Sequence, residues 1–143
     1  MSQPAPPPII EDPFTLYFWE GTAAHQLLIM RCQSCGTWIH LPKPVCRNCQ
    51  SMDLKPEPVS GKGTVYSFTE THKAFHPYFV DKVPYLIAII ALAEQPQLHF
   101  QSNLVGVTEA DVEFDMPVQL EWAEFGDKTI PVFRPTAVEG TVA

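Results

Sequence analysis

The feature that most constrains this chain is the placement of its four cysteines. All fall within 18 residues, as the pairs Cys32/Cys35 and Cys46/Cys49, each separated by two residues. Two residues between cysteines let a tight turn aim both sulfurs at one ion. The ten residues between the pairs let the second turn complete a tetrahedron. Gly36, just after the first pair, and Asn48, inside the second, tolerate the left-handed backbone that such turns need. In a reducing compartment, cysteines spaced this closely serve a metal more often than disulfides. The reading is one structural zinc in a ribbon. Iron in a rubredoxin-like site takes the same four thiolates, and ligand type alone does not separate the two metals. Either way, four protein sulfurs leave no coordination position for water or substrate. The metal then holds the fold and does not act as a Lewis acid.

A chain of 143 residues has room for such a module joined to a compact domain of roughly 80 residues. Hydrophobic residues make up 45% and charged residues 17%, so a true core is expected despite 15 prolines. The opening Ser2 to Pro8 has neither a basic start nor a long apolar run. It is read as neither a signal peptide nor a membrane span, and a cytoplasmic protein without membrane contact is expected. Charge is uneven. Arg31 to Lys62 holds five Lys/Arg against two Asp/Glu, the rest four against fourteen, and the sums of +3 and −10 give the net −7. A zinc-bound set of four thiolates removes two further charges from that modest excess. General nucleic-acid binding, which depends on phosphate neutralisation, is therefore disfavoured.

Along the chain, Asp12-Pro13 predicts a helix start, with Asp12 as the cap and Pro13 at the first helical position. Phe14, Tyr17 and Phe18 share one face of that helix, with Trp19 beside them and Gly21 as its stop. Leu27–Arg31 and Thr37–Leu41 read as strands flanking the first cysteine pair, a hairpin with a metal knuckle at its tip. From Gly61 the pattern turns to strands: 63–72, 85–92, 98–105, 117–123 and 129–133, with an acidic turn or short helix over 108–115. The run Tyr85–Leu92 is apolar on both alternating faces, which predicts a central strand covered on each side. Five strands with a helical link between the third and fourth fit an OB-fold barrel. The fold expected is mainly β: a helix and rubredoxin-like zinc ribbon over 13–55, then a five-stranded OB-fold over 56–135. A disordered Pro-rich start over 1–12 and a flexible tail over 136–143 flank them.

No residue pattern carries an obvious reaction. Nucleophile elbows, phosphate loops and dinucleotide fingerprints are absent, and no cysteine remains once the metal is bound. His25, His40, His72, His76 and His99 lie in no recognisable catalytic setting. The loop from Thr71 to Val80 is rich in aromatic and basic groups, and OB-folds often present binding residues there. His72, Phe75, His76 and Tyr78 are candidates for partner or substrate contact. Two further readings stay open: a single-stranded nucleic-acid binder stacking bases on barrel aromatics, and an enzyme using His72 or His76 as general base.

Taken in order, Phe18-Trp-Glu-Gly21, the two cysteine pairs, Gly61-Lys-Gly-Thr-Val-Tyr-Ser-Phe68, Asn103-Leu-Val-Gly106, Asp115-Met-Pro-Val118 and Pro131-Val-Phe-Arg-Pro135 closely resemble the acyl-CoA-associated zinc-ribbon and OB-fold family. The resemblance covers Pro13 to Pro135, and the order of motifs is more specific than any one of them. Where the family usually has Gly before Met-Pro-Val, this chain has Asp115, a surface-turn change. The resemblance implies an accessory subunit in a hetero-oligomer with a thiolase-like enzyme, and in some members with an enoyl-CoA hydratase. It implies a role in handling an acyl-CoA thioester, in some cases for aldol cleavage in steroid side-chain degradation. The catalytic residues would then belong to the partner. CoA carries phosphates, and Arg31, Lys43, Arg47 and Lys62 are the cations expected to meet them.

Overall fold

The computed structural model describes residues 4–136. Asp12 and Pro13 open a turn and not the helix. The Asp12 carboxylate accepts hydrogen bonds from the amides of Phe14 (2.8 Å) and Thr15 (3.0 Å), which closes the chain one step early. Helix α1 runs Leu16–Ala23 with Thr15 at its N-cap, so it passes through Gly21 where a stop was expected. Gly21 serves close packing instead. A Cβ there would stand 2.8 Å from both the Gln26 carbonyl oxygen and Leu28 Cγ, where the chain folds back from the helix. Of the expected aromatic face, Phe18 reaches Phe100 at 6.0 Å between ring centroids, whereas Phe14, left outside the helix, is exposed.

Strands β1 (Leu28–Cys32), β2 (Trp38–Ile39) and β3 (Leu54–Pro58) form an antiparallel sheet in the order β2-β1-β3. The segment Leu-Lys-Pro-Glu-Pro of β3 looks like linker in sequence. Its prolines are accommodated because β3 is an edge strand, where a missing N–H costs no ladder bond on the open side.

Strands β4 (Lys62–Thr71), β5 (Tyr85–Leu92), β6 (His99–Leu104), β7 (Pro117–Phe125) and β8 (Lys128–Pro135) close into a barrel in the order β4-β5-β6-β8-β7. A bulge between Val65 and Ser67 bends β4. Closure comes from a short parallel seam, Asn103↔Val132 and Leu104↔Phe133. On β5 the inward residues Leu86, Ala88, Ile90 and Leu92 are buried. Its outward residues Tyr85, Ile87, Ile89 and Ala91 are only half-buried, so the expected cover on both faces is met on one. Curling fills the concave side with the barrel's own side chains and leaves the convex side without a layer above it.

Ribbon and barrel share one core. Leu27, Ile29 and Trp38 pack in the same buried cluster as Val65, Ile90, Phe100 and Phe133. The side chain of Gln95, beyond β5, brackets the Trp38 backbone: the Trp38 amide donates to Oε1 (2.8 Å) and Nε2 donates to the Trp38 carbonyl (3.0 Å). The N-terminal segment lies against the barrel, with Glu11 paired to Lys128 and Ile9 half-buried. The tail expected to be flexible falls, beyond Thr136, outside the described residues. Among the described residues, no helix is long and apolar enough to cross a membrane.

Candidate metal centre and the clefts around it

β1 delivers Cys32 at its last position, the turn places Cys35, and the second turn returns Cys46 and Cys49 to the same spot. The four sulfurs lie within 4.8 Å of one another, with Cys32–Cys49 at 3.6 Å and Cys35–Cys46 at 3.7 Å. Zinc–sulfur bonds of about 2.3 Å in a tetrahedron require sulfur separations of about 3.8 Å, so the cluster fits the ion. Donors surround the sulfurs: the Cys35 amide approaches Cys32 Sγ at 3.5 Å and the Asn48 amide approaches Cys46 Sγ at 3.3 Å. Hydrogen bonding from the Thr37 hydroxyl, then from Asn48, pulls the Cys35 thiol down to about 5, which favours the thiolate a metal needs. Cys32 and Cys46 are buried in a small cluster with Ile39, so the ion would sit on a fixed floor.

The four candidate cations do not converge. Arg31 is engaged inside the ribbon. Its Nε donates to the Gly36 carbonyl (3.0 Å), Nη1 to Glu57 (3.2 Å), and the guanidinium lies 4.6 Å from the Trp38 ring centroid. Hydrogen bonds from Gln33 and then from Arg31 hold the Glu57 carboxyl below the usual carboxylate range. Lys62 is exposed at the start of β4. Lys43 and Arg47, by contrast, line one cleft of about 480 Å³ between ribbon and barrel, together with Trp38, His40, Gln95 and Gln97. That lining contains no carboxylate, and neither cation has an ion-pair partner among the described residues.

The sequence gives His40 no more weight than the other four histidines. Its Nδ1 is buried without a hydrogen-bond partner, its ring sits 5.1 Å from Phe100, and burial pushes its pKa down to about 4. Nothing in the local sequence signals this. It follows from α1 and β6 closing over the end of β2.

In the loop after β4, His72 contacts Glu70 (3.1 Å) and faces solvent, and Phe75 is 81% exposed. His76 and Tyr78 act locally: His76 Nδ1 accepts the Tyr78 amide (3.1 Å) and caps the short turn Pro77–Phe79. Tyr78 then faces a second cavity, of about 510 Å³, at the barrel seam. Phe79, Tyr85 and Phe125 wall the same cavity. Sequence reasoning missed these three because Phe79 and Tyr85 meet Phe125, which is distant in the chain, only when the barrel closes.

A four-cysteine ribbon fused through a shared core to a five-stranded barrel defines a zinc-ribbon and OB-fold protein. Family models match both halves: the rubredoxin-like zinc ribbon domain of ChsH2 over residues 19–54, and the C-terminal OB-fold domain of ChsH2 over residues 56–123. The chain belongs to the ChsH2, or DUF35, family. It resembles the solved structure described as "Ltp2-ChsH2(DUF35) aldolase" with a TM-score of 0.80 and 36% identity, covering 90% of this chain and 98% of that one. It is 40% identical over 120 residues to the probable enoyl-CoA hydratase alpha subunit of Thermomonospora curvata, covering 82% of this chain. It is 32% identical over 121 residues to the 3-oxo-4,17-pregnadiene-20-carboxyl-CoA hydratase alpha subunit of Mycobacterium tuberculosis, covering 85% of this chain. The chain spans 36% and 37% of the lengths of those two relatives. Asp115, at the position the family usually gives to Gly, has φ of 65°, the left-handed region that explains the usual residue and that Asp tolerates.

Proposed function

We propose that this chain is a non-catalytic accessory subunit. In this reading it binds a thiolase-like partner, helps hold an acyl-CoA thioester, and serves retro-aldol cleavage of a steroid side chain. The observation that carries the reading is the 36% identity over 98% of the DUF35 chain in a structure described as an aldolase. The hydratase names of the two relatives support a CoA thioester as the shared ligand and an enoyl-CoA hydratase as a second partner.

In a retro-aldol step, a base removes the proton of a β-hydroxyl and the bond between the α and β carbons breaks. The α carbon, released as a thioester enolate, takes up a proton, giving a carbonyl compound and a shortened CoA thioester. The base belongs to the partner in this proposal. The closed set of four thiolates supplies no Lewis acid, and when bound the zinc fixes the ribbon.

This chain's own residues supply charge and position. Lys43 and Arg47, without an ion-pair partner among the described residues and beside a cleft lined by no carboxylate, are the cations best placed to meet CoA phosphates. Arg31 contributes indirectly by fixing Trp38, which lines that cleft. The test is co-expression with a thiolase-like partner, followed by size-exclusion chromatography and an aldol-cleavage assay on a β-hydroxyacyl-CoA. A stoichiometric complex that cleaves only when both chains are present is expected. Turnover by the isolated chain would favour the histidine-base enzyme instead, and recovery with nucleic acid alone would favour the nucleic-acid binder.

A further inference from the structure

Three clefts meet at Gln101, an exposed residue of β6. The seam cavity of about 510 Å³ shares Gln101 and Ile87 with a cleft of about 290 Å³ over β4 and β5, where Ser67 is paired with Ile89 and Thr69 with Ile87. A third cleft, of about 280 Å³, takes Gln101 together with Tyr17 and Trp19 of α1 and with Leu41 and Pro42 beyond β2. Leu41 is 68% exposed, and Ile87 and Ile89 belong to the side of β5 that has no layer above it. With shared residues counted once, 28 residues line the three clefts. A specific interface of ordinary size takes about 20–30 residues from each chain.

Charge is all but missing from this surface. The chain has nine Lys/Arg and 16 Asp/Glu, yet the three linings contain no carboxylate and one ammonium group, that of Lys82. The exposed carboxylates Glu109, Asp111, Glu113, Glu124 and Asp127 all lie outside them. Depletion of charge together with enrichment in aromatic residues marks the centre of protein–protein interfaces. The backbone beneath is already fixed, because β5 pairs with β4 on one side and with β6 on the other, so little ordering is needed on binding. His40 and Leu41 line both the third cleft and the cleft that bears Lys43 and Arg47. A body seated on the uncharged face therefore reaches the edge of the cation cleft.

We infer that this face, centred on Gln101, docks the catalytic partner, a protein chain presenting an uncharged and apolar surface of its own. The inference rests on the accessory-subunit reading above and adds the surface by which that subunit is held. In that reading Lys43 and Arg47 meet the phosphates and the base comes from the partner, so the partner has to border the cation cleft. The uncharged face borders it across His40 and Leu41. A second copy of this chain would match the face in polarity, but it would bring another cation cleft and not the base.

The test uses the full zinc-loaded chain, with Ltp2, the chain named beside a DUF35 chain in the solved aldolase, as the partner probe in calorimetry. Gln101→Arg and Thr69→Arg each place an unmatched charge on the face at an exposed position, and each should weaken the complex at least tenfold. Gln119→Arg, an exposed residue of β7 outside the three clefts, should leave it within twofold. Zinc content and melting temperature identify any variant that fails to fold, and the other face variant then decides. Docking through an uncharged surface should change less than about threefold between about 50 and about 500 mM salt. A complex that survives both face variants, or one that is lost with Gln119→Arg or with salt, overturns this inference and leaves the accessory-subunit reading standing. No complex with the unaltered chain sinks both. A homodimer of the isolated chain that Gln101→Arg dissociates, with the Ltp2 complex intact, assigns the face to a second copy. CoA binding by the Gln101→Arg chain alone should stay within twofold, and a tenfold loss would make face and cleft one ligand site and overturn the assignment to a partner.

Discussion

Residue-level effects divide into those that hold the metal, those that tolerate burial and those that tolerate backbone strain. Cys35→Ser is expected to bring zinc well below one ion per chain and to unfold the ribbon, because binding and folding of such modules are one process; metal analysis with circular dichroism checks it. His40 is half-buried with its Nδ1 shut away from solvent, and is held neutral. Its pKa falls from 6.5 to about 4 on folding. The unfolded chain therefore takes up a proton that the folded chain refuses, so this stability is fully present above pH 6.5 and is lost as pH falls toward 4. The whole effect is on the order of 3 kcal/mol, from 1.36 kcal/mol per unit. His40→Asn should flatten the decline in melting temperature between pH 6.5 and 5; a parallel decline in both proteins would refute it. Asp115 holds a φ of 65°. Asp115→Gly is expected to change stability little or to raise it by up to about 1 kcal/mol, because relief of left-handed strain outweighs the added freedom of the unfolded chain. Denaturant titration reads that difference.

At the scale of elements, the barrel depends on close approach between strands. A Cβ on Gly63 of β4 would stand 2.6 Å from the Ala91 carbonyl oxygen and 2.7 Å from Ile90 Cγ2 of β5. Backbone cannot recede there, because β5 is also paired to β6 on its far side. Gly63→Ala should therefore cost about 1–3 kcal/mol, measured by thermal unfolding with zinc content unchanged. An unaltered transition would mean that the barrel shifts to admit the methyl group. The helix and the ribbon show a different economy: Gly21 lets α1 and β1 touch, and the Arg31 side chain ties β1, the knuckle and β3 together through Gly36 and Glu57.

For the whole molecule, the shared core and the Gln95 bracket make ribbon and barrel one body, so the cleft that bears Lys43 and Arg47 has fixed walls. In a chain with a net charge of −7, this cleft is an unusual place for an anion, and a local one. Reversing both cations, Lys43→Glu with Arg47→Glu, should weaken CoA binding at least tenfold at low salt, with the difference shrinking as salt is raised. Lys62→Glu, away from the cleft, should leave binding within twofold. Equal losses from the two variants would point to general charge and not to a site.

Much of this architecture was legible in the chain before folding. Cysteine spacing fixes a metal knuckle because the turn and the ion admit few alternatives, and five short strand-like runs with a helical link between the third and fourth fit a small barrel. The order of short motifs carried the family. Other features are set only by packing. Asp12 closes a local turn in place of capping α1, and two prolines sit in β3 because that strand falls at the edge of its sheet. Arg31 and Lys43 look alike in sequence, yet one has a carboxylate partner on β3 and the other has none among the described residues. The unpartnered His40 nitrogen and the aromatic wall at the barrel seam arise from contacts between positions distant along the chain. Sequence specifies what local geometry and periodicity can enforce, whereas the identity of a neighbour, and hence whether a charge is paired or a cavity is lined, is decided when the barrel closes.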